Sequence, residues 1–524
     1  MKLAPRTVFR LVLGAAGLGW FGWTYFHPGG LRTDTAVSPA ASYEAAATSV
    51  PQKPRTWQLG SLTLTACELP QPHTGLSSAA WCAPFEVPEN RADPHSRKIS
   101  LNLAVIRSAA QLPAKDMVVL LAGGPGQAAT ESWPSVANAL DPLLAHRNVL
   151  LLDQRGTGHS NPLSCKGPEQ AATDEKVGFD AEALKAETAR CLQQVTPRAD
   201  PRYYTTTVAV QDLEDVRRAL GSPTFDLVGV SYGTRVAQQY AMHHPDAIRS
   251  LVLDGVVPNP LVLGEDFAQN LEAALKLQFA RCTAQAACKE RFGDPYQTLY
   301  QLRDALRANP HKVSFRDPQS YQSVQRVLSE DSLASVVRMF AYTPITAALL
   351  PLSIDAAAHG DVGPLLGQAK LLQGDLVDSM DGGMQSSVIC SEDADLLRPR
   401  PQDEDTILGT RMITALQAMC AVWPRGTRPA DFHQPLRSAT PALLLSGQYD
   451  PVTPPAYGEA VLKGLTDARH LVLKGQGHNV MGAGCAPRLV KKFIEDLQPK
   501  ALDASCLDRL QAPPLFIDFN GSTP

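Results

Sequence analysis

A serine hydroxyl becomes a nucleophile only when a neighbouring base takes its proton, and one serine in this chain sits where that can be arranged. Ser231 lies in "GVSYG" (229–233), after the apolar run "FDLV" and before "YGTRVAQQYAMHH", which reads as a helix. A G-x-S-x-G string between a strand and a helix predicts a sharp turn that presents the serine, with Gly229 and Gly233 small where the two elements crowd together. The base and its orienting acid should then follow in the order serine, acid, histidine. Two histidines come after the strand-like run at 441. His470 falls inside the β pattern "RHLVL", whereas His478 ends the glycine-rich "GQGHN" and is the expected base. Asp450 closes "ALLLSGQYD" and precedes the rigid "PVTPP", which makes it the expected acid; its rivals Glu459 and Asp467 read as solvated charges.

The tetrahedral intermediate of acyl transfer needs hydrogen-bond donors for its oxyanion. "AGGPG" (122–126), after the apolar "MVVLL", offers a backbone that can turn inward. The expected donors are the N–H of Tyr232, next after the nucleophile, and that of Gly124 or its neighbour. Phosphate-binding patterns fail: "GTGHSN" departs from G-x-G-x-x-G at its last position, and neither G-K-[ST] nor H-E-x-x-H occurs. No cofactor and no metal are implied.

These residues need strand ends to carry them. "MVVLLAGG", "NVLLLDQRG", "FDLVGVS" and "SLVLDGV" are continuously apolar, as parallel strands covered on both faces are, and "KISLNLAVI" alternates like a half-buried antiparallel strand. Helical stretches such as "TTVAVQDLEDVRRAL" (206–220) separate them, so the fold is expected to be α/β with a mainly parallel sheet. The alternation stops after Pro258 and resumes at "PALLLSGQYD" and "ARHLVLKGQGH", followed by a helix near 486–498. The interval is helical in pattern and is expected to be a lid inserted between two strands. The division is therefore 57–258 and 439–524 for the core, with 259–438 as the lid, and a shorter insertion at about 161–205.

Ahead of the core, Lys2, Arg6 and Arg10 precede an uncharged, mostly apolar run at 11–26, of signal-peptide length. No A-x-A-like site follows closely, so a cleaved signal and an uncleaved membrane anchor over 1–30 both fit. Residues 31–56, rich in Ala, Ser, Thr and Pro, read as a linker. Ten cysteines without a C-x-x-C pair suggest disulfides between neighbours, from Cys67–Cys82 to Cys485–Cys506, hence export to the periplasm or cell exterior. A net charge of -4 with no basic run argues against nucleic acid as a partner.

Taken together, "LLAGGPGQ", "LLLDQRGTGHS", "LVGVSYGTRVAQQY", "LVLDGVVP", "LLLSGQYDPVTP" and "GQGHN" resemble the α/β-hydrolase superfamily. Within it, the chain is similar to exported serine peptidases of the tripeptidyl aminopeptidase and proline iminopeptidase-like branch, over about 57–500, with a tripeptidyl-aminopeptidase-like carboxyl-terminal region. The resemblance implies Ser231, Asp450 and His478 as the triad and short peptides with free amino termini as substrates. It implies structural support from Asp153, Arg155 and Gly156. It also implies a lid carboxylate for the substrate amino group, with Glu392 of "VICSEDAD" favoured and Asp393 second. Ala122 stands where many iminopeptidases have His before G-G-P-G, which fits the tripeptidyl branch better. An exported carboxylesterase is the alternative, since triad and oxyanion loop serve esters equally well. A non-enzymatic binding protein would not need the three triad residues together. Oligomeric state is not legible.

Overall fold

The computed structural model describes residues 55–70, 76–165, 180–318, 320–378 and 380–521. The expected signal or anchor segment, and the linker up to residue 54, lie outside these described residues. The described strands are β1 (Thr56–Leu59), β2 (Leu62–Pro70), β3 (Ser77–Pro88), β4 (Lys98–Ile106), β5 (Met117–Leu121), β6 (Val149–Leu152), β7 (Phe225–Val230), β8 (Ile248–Asp254), β9 (His311–Arg316), β10 (Ser323–Leu328), β11 (Ala442–Gly447) and β12 (Ala468–Leu473).

Ten of them form one sheet in the order β1-β2-β3-β4-β6-β5-β7-β8-β11-β12. From β6 to β12 every pairing is parallel; β1 to β4 add an antiparallel half that pairs with β6. The most apolar strands lie in the middle. β5, β6, β7 and β11 are buried at every position, because helices cover both faces there. Successive residues point to opposite faces, so Leu227 and Val228 join different cores. The helix Thr206–Leu220 forms where the sequence places it, capped by the Thr205 side chain and ended by Gly221 in a left-handed conformation.

β8 and β11 are neighbours in the sheet, yet residues 255–441 separate them in sequence. That inserted segment holds the helices Phe267–Ala284, Pro295–Ala308, Glu330–Phe340, Pro344–Ala358, Gly363–Asp378, Gly382–Glu392 and Arg411–Cys420. It has a core of its own around Leu275, Phe279, Leu299, Val337, Phe340 and Ile354. It also contains the antiparallel hairpin β9–β10, where the sequence reading expected helices. The described residues from 55 to 521 pack as one compact body. Five disulfides join sequence neighbours: Cys67–Cys82, Cys165–Cys191, Cys282–Cys288, Cys390–Cys420 and Cys485–Cys506. Among the described residues no helix is long and apolar enough to cross a membrane.

Candidate active site

Strand β7 delivers Ser231 at its carboxyl end, immediately before the helix Tyr232–His243. The turn is forced. Ser231 holds φ 54° and ψ -122°, a backbone region that costs a non-glycine residue about 1–3 kcal/mol and persists only where the surroundings impose it. They do: Ser231 N–H donates to Asp254 O at 2.8 Å, and Thr234 N–H returns to Ser231 O at 2.9 Å. A Cβ on Gly229 would come within 2.6 Å of Gly233 O, and one on Gly233 would overlap Leu121 O. Both glycines of "GVSYG" are thus required by space.

His478 and Asp450 meet at the same sheet edge. His478 Nδ1 lies 2.7 Å from Asp450 Oδ2, and the Asp450 carboxylate is fully buried. Asp450 also accepts from the N–H groups of Val452 and Thr453 at 2.8 Å each and from Thr453 Oγ1 at 2.8 Å, so "PVTPP" supplies its donors. Burial would raise the Asp450 pKa, but the His478 charge, the hydrogen bond to it and the two backbone donors win, holding it below the ordinary range. Burial likewise opposes the charged form of His478; the Asp450 charge and hydrogen bond outweigh it, with help from Asp254, and raise its pKa.

Asp254 links this pair to the elbow and was not singled out from sequence. At the end of β8, its carbonyl takes the Ser231 N–H and its buried carboxylate takes the N–H groups of Val480 and Met481, just past the base, at 2.8–2.9 Å. Its pKa is pushed up to about 6 by burial, against those two donors. The next residue, Gly255, lies against the imidazole: a Cβ there would be 3.0 Å from His478 Cε1. The sequence signal for it was an acid ending the apolar run "LVLD".

The rivals form a second constellation of the same types. His470 Nδ1 is 2.6 Å from Glu459 Oε1 and its Nε2 is 2.9 Å from Ser446 Oγ. Chemistry is ruled out by access and by backbone shape. Ser446 is wholly buried within β11, the His470 side chain is 1% exposed, and Ser446 occupies regular strand backbone instead of an elbow. Ser231, by contrast, is half-buried and Gly124 is exposed.

The "AGGPG" loop approaches Ser231. A Cβ on Gly123 would lie 3.2 Å from Ser231 Cβ, so Gly123 packs against Ser231, with Gly124 beside it at φ 106°. Tyr232 opens its helix, so its N–H has no intrahelical acceptor and is free for an oxyanion.

Glu392 and Asp393 are placed differently from what the resemblance implied. Both are fully buried. Glu392 spends Oε1 on Thr206 N–H at 2.6 Å and Oε2 on Thr206 Oγ1 at 2.9 Å, and Thr206 Oγ1 lies 2.5 Å from Tyr232 Oη. Burial, with the Asp393 charge adding to it, pushes the Glu392 pKa up to about 8. Asp393 is paired with Arg235 at 2.9 Å. Neither carboxylate is an open anion, and the helix Gly382–Glu392 is buried on nearly all sides. Asp153 accepts from Thr130 and Asn102, and Arg155 forks onto Asp212, as supports beneath the site. Among the described residues no group of His, Cys, Asp or Glu could hold a metal ion.

Residues 116–482 match the family described as alpha/beta hydrolase fold. The serine protease Hip1 of Mycobacterium tuberculosis is 28% identical over 239 residues, 43% of this chain and 45% of that protein. The tripeptidyl aminopeptidase of Streptomyces lividans is 28% identical over 198 residues, 34% and 35% of the two chains. The proline iminopeptidase of Neisseria gonorrhoeae is 28% identical over 139 residues, 26% and 32%. The chain spans less than half the length of these curated relatives.

Proposed function

The chain belongs to the alpha/beta hydrolase fold family, and from that premise we propose that it is a serine exopeptidase releasing short peptides from free amino termini. The observation that carries the reading is the buried Asp450–His478 pair, 2.7 Å apart, tied through Asp254 and Gly255 to a strained Ser231 elbow. In the proposed reaction His478 Nε2 takes the Ser231 proton as Oγ attacks the scissile carbonyl. Asp450 holds Nδ1–H and stabilises the imidazolium. The N–H groups of Tyr232 and of the Gly123–Gly124 turn receive the oxyanion. His478 then protonates the leaving amine, and a water activated by the same base hydrolyses the acyl-enzyme. The peptidase choice is supported by the relatives' printed names. Five disulfides support export, and an amino-terminal anchor stays part of the proposal.

A second reading, an exported carboxylesterase, gains from the occupied Glu392 and Asp393: both amino-group ligands the resemblance offered are already bonded within the protein. One assay separates them. Purified protein is given chromogenic Ala- and Pro-containing peptides with free and with acetylated amino termini, beside a short-chain nitrophenyl ester, each with a Ser231→Ala control. Turnover of free-amino peptides well above acetylated ones is expected. Ester turnover alone would select the esterase, and undiminished activity of Ser231→Ala would sink the mechanism.

A further inference from the structure

We propose that Tyr342, from the inserted segment, is a positioning residue for His478, so that the catalytic base is correctly aimed only when this segment is docked on the core. The inference rests on the hydrolase reading above. Asp450 holds one nitrogen of the imidazole and Gly255 closes off Cε1, but neither fixes the backbone that carries the ring. Tyr342 does. Its carbonyl accepts the His478 N–H at 2.7 Å, and its ring meets the imidazole edge-on, with centroids 5.4 Å apart and planes at 81°. The preceding residue shows how closely the two chains run, since a Cβ on Gly477 would overlap the Tyr342 carbonyl.

The partner is stiff enough for this role. Tyr342 sits in the turn between the helices Glu330–Phe340 and Pro344–Ala358. Tyr342 N–H bonds Met339 O at 3.3 Å, Thr346 Oγ1 bonds Phe340 O at 2.7 Å, and Thr343 caps the second helix. Phe340 and Ala341 are buried in the segment's own core. A displacement of the segment would therefore carry Tyr342 away as a unit, leaving the ring held by Asp450 and its loop anchored only beyond it, where Asp254 takes the N–H groups of Val480 and Met481. Small misplacements of a catalytic group cost large factors in rate, about a hundredfold for 1 Å.

The test compares Tyr342→Ala, Tyr342→Leu and Tyr342→Phe with wild type, on an acetyl nitrophenyl ester and on a free-amino peptide. Thermal unfolding and the downfield proton resonance of the His478–Asp450 hydrogen bond are recorded alongside. The expected result is a kcat loss of about 10- to 100-fold in Tyr342→Ala on both substrates, with KM for the small ester within about twofold and the downfield resonance broadened. Tyr342→Phe, which keeps ring and backbone, should restore most of the rate and the resonance. Wild-type kcat in Tyr342→Ala, or equal losses in the Phe and Ala variants, would overturn the proposal. If Tyr342→Ala does not fold, Tyr342→Leu decides, because it keeps bulk without the aromatic edge; wild-type kcat there overturns it. A wild-type protein with no Ser231-dependent turnover would overturn the hydrolase reading and this inference together, whereas an active wild type matched by its Tyr342 variants overturns this inference alone.

Discussion

Replacing Glu392 by Gln should change how stability depends on pH more than it changes catalysis. The carboxyl titrates ordinarily near 4.5, and burial with the neighbouring Asp393 charge pushes it up to about 8 in the folded protein. Between those values the native state keeps a proton that the unfolded chain releases, so stability falls as pH rises through the interval. Roughly three and a half pH decades at about 1.4 kcal/mol each give about 5 kcal/mol. With an unfolding entropy of about 2.1 cal/mol/K per residue, a chain of this length changes by roughly 1 kcal/mol per degree, so the full effect is about 5 °C in Tm. Gln has no proton to lose, and its amide can donate to Thr206 Oγ1 as a protonated carboxyl would. The Tm of wild type minus that of Glu392→Gln, followed by calorimetry, should therefore drop by about 5 °C from pH 4.5 to 8. Taking the difference cancels Asp226 and Asp254, whose pKa values are also raised by burial, to about 7 and about 6. A difference that stays constant with pH would mean that Glu392 is ionised throughout, and the reasoning from burial would fail. A KM raised only for free-amino peptides would return Glu392 to the ammonium-binding role.

Two further outcomes follow from the site. The acid limb of kcat/KM should lie above the ordinary imidazole value of 6.5, since the Asp450 charge and hydrogen bond outweigh burial at His478 and only the neutral ring accepts the serine proton; Asp450→Asn should move the limb down and cut kcat by about 10⁴, read from pH–rate profiles. Asp254 accepts the Val480 N–H on both oxygens and the Met481 N–H on Oδ2, so Asp254→Asn turns an amide N–H₂ toward one of these backbone donors. A stability loss of about 1–3 kcal/mol is expected in denaturant melts, with ester kcat falling in the same variant; unchanged kcat would mean that Asp254 does not hold the base loop.

What the sequence showed well was local. The apolar runs of β5, β6, β7 and β11 and the amphipathic helix Thr206–Leu220 carry their periodicity within a dozen residues, and the elbow is a pattern of five. The antiparallel strands β1–β3 escaped notice because their mixed burial, broken by prolines such as Pro84, lacks both a clean alternation and a continuous apolar run. The hairpin β9–β10 hid for the same reason, with His311, Lys312 and Arg316 on one strand. The contacts of Tyr342 with His478 and of Glu392 with Thr206 join residues far apart in sequence, and no local pattern announces them. Nor does the short stretch "SEDAD" show that Glu392 and Asp393 are enclosed by tertiary packing, with Arg235 paired to Asp393.

The position of the inserted segment also has a temporal meaning. A chain made from its amino end completes β5 to β8 and the serine turn first; the segment 255–441 follows, and the acid and the base arrive only with β11, β12 and the loop behind it. A growing chain or a truncated product therefore carries Ser231 without the partners proposed to activate it. On the proposed mechanism, hydrolytic power is withheld until β11 slots in beside β8 and β12 beyond it.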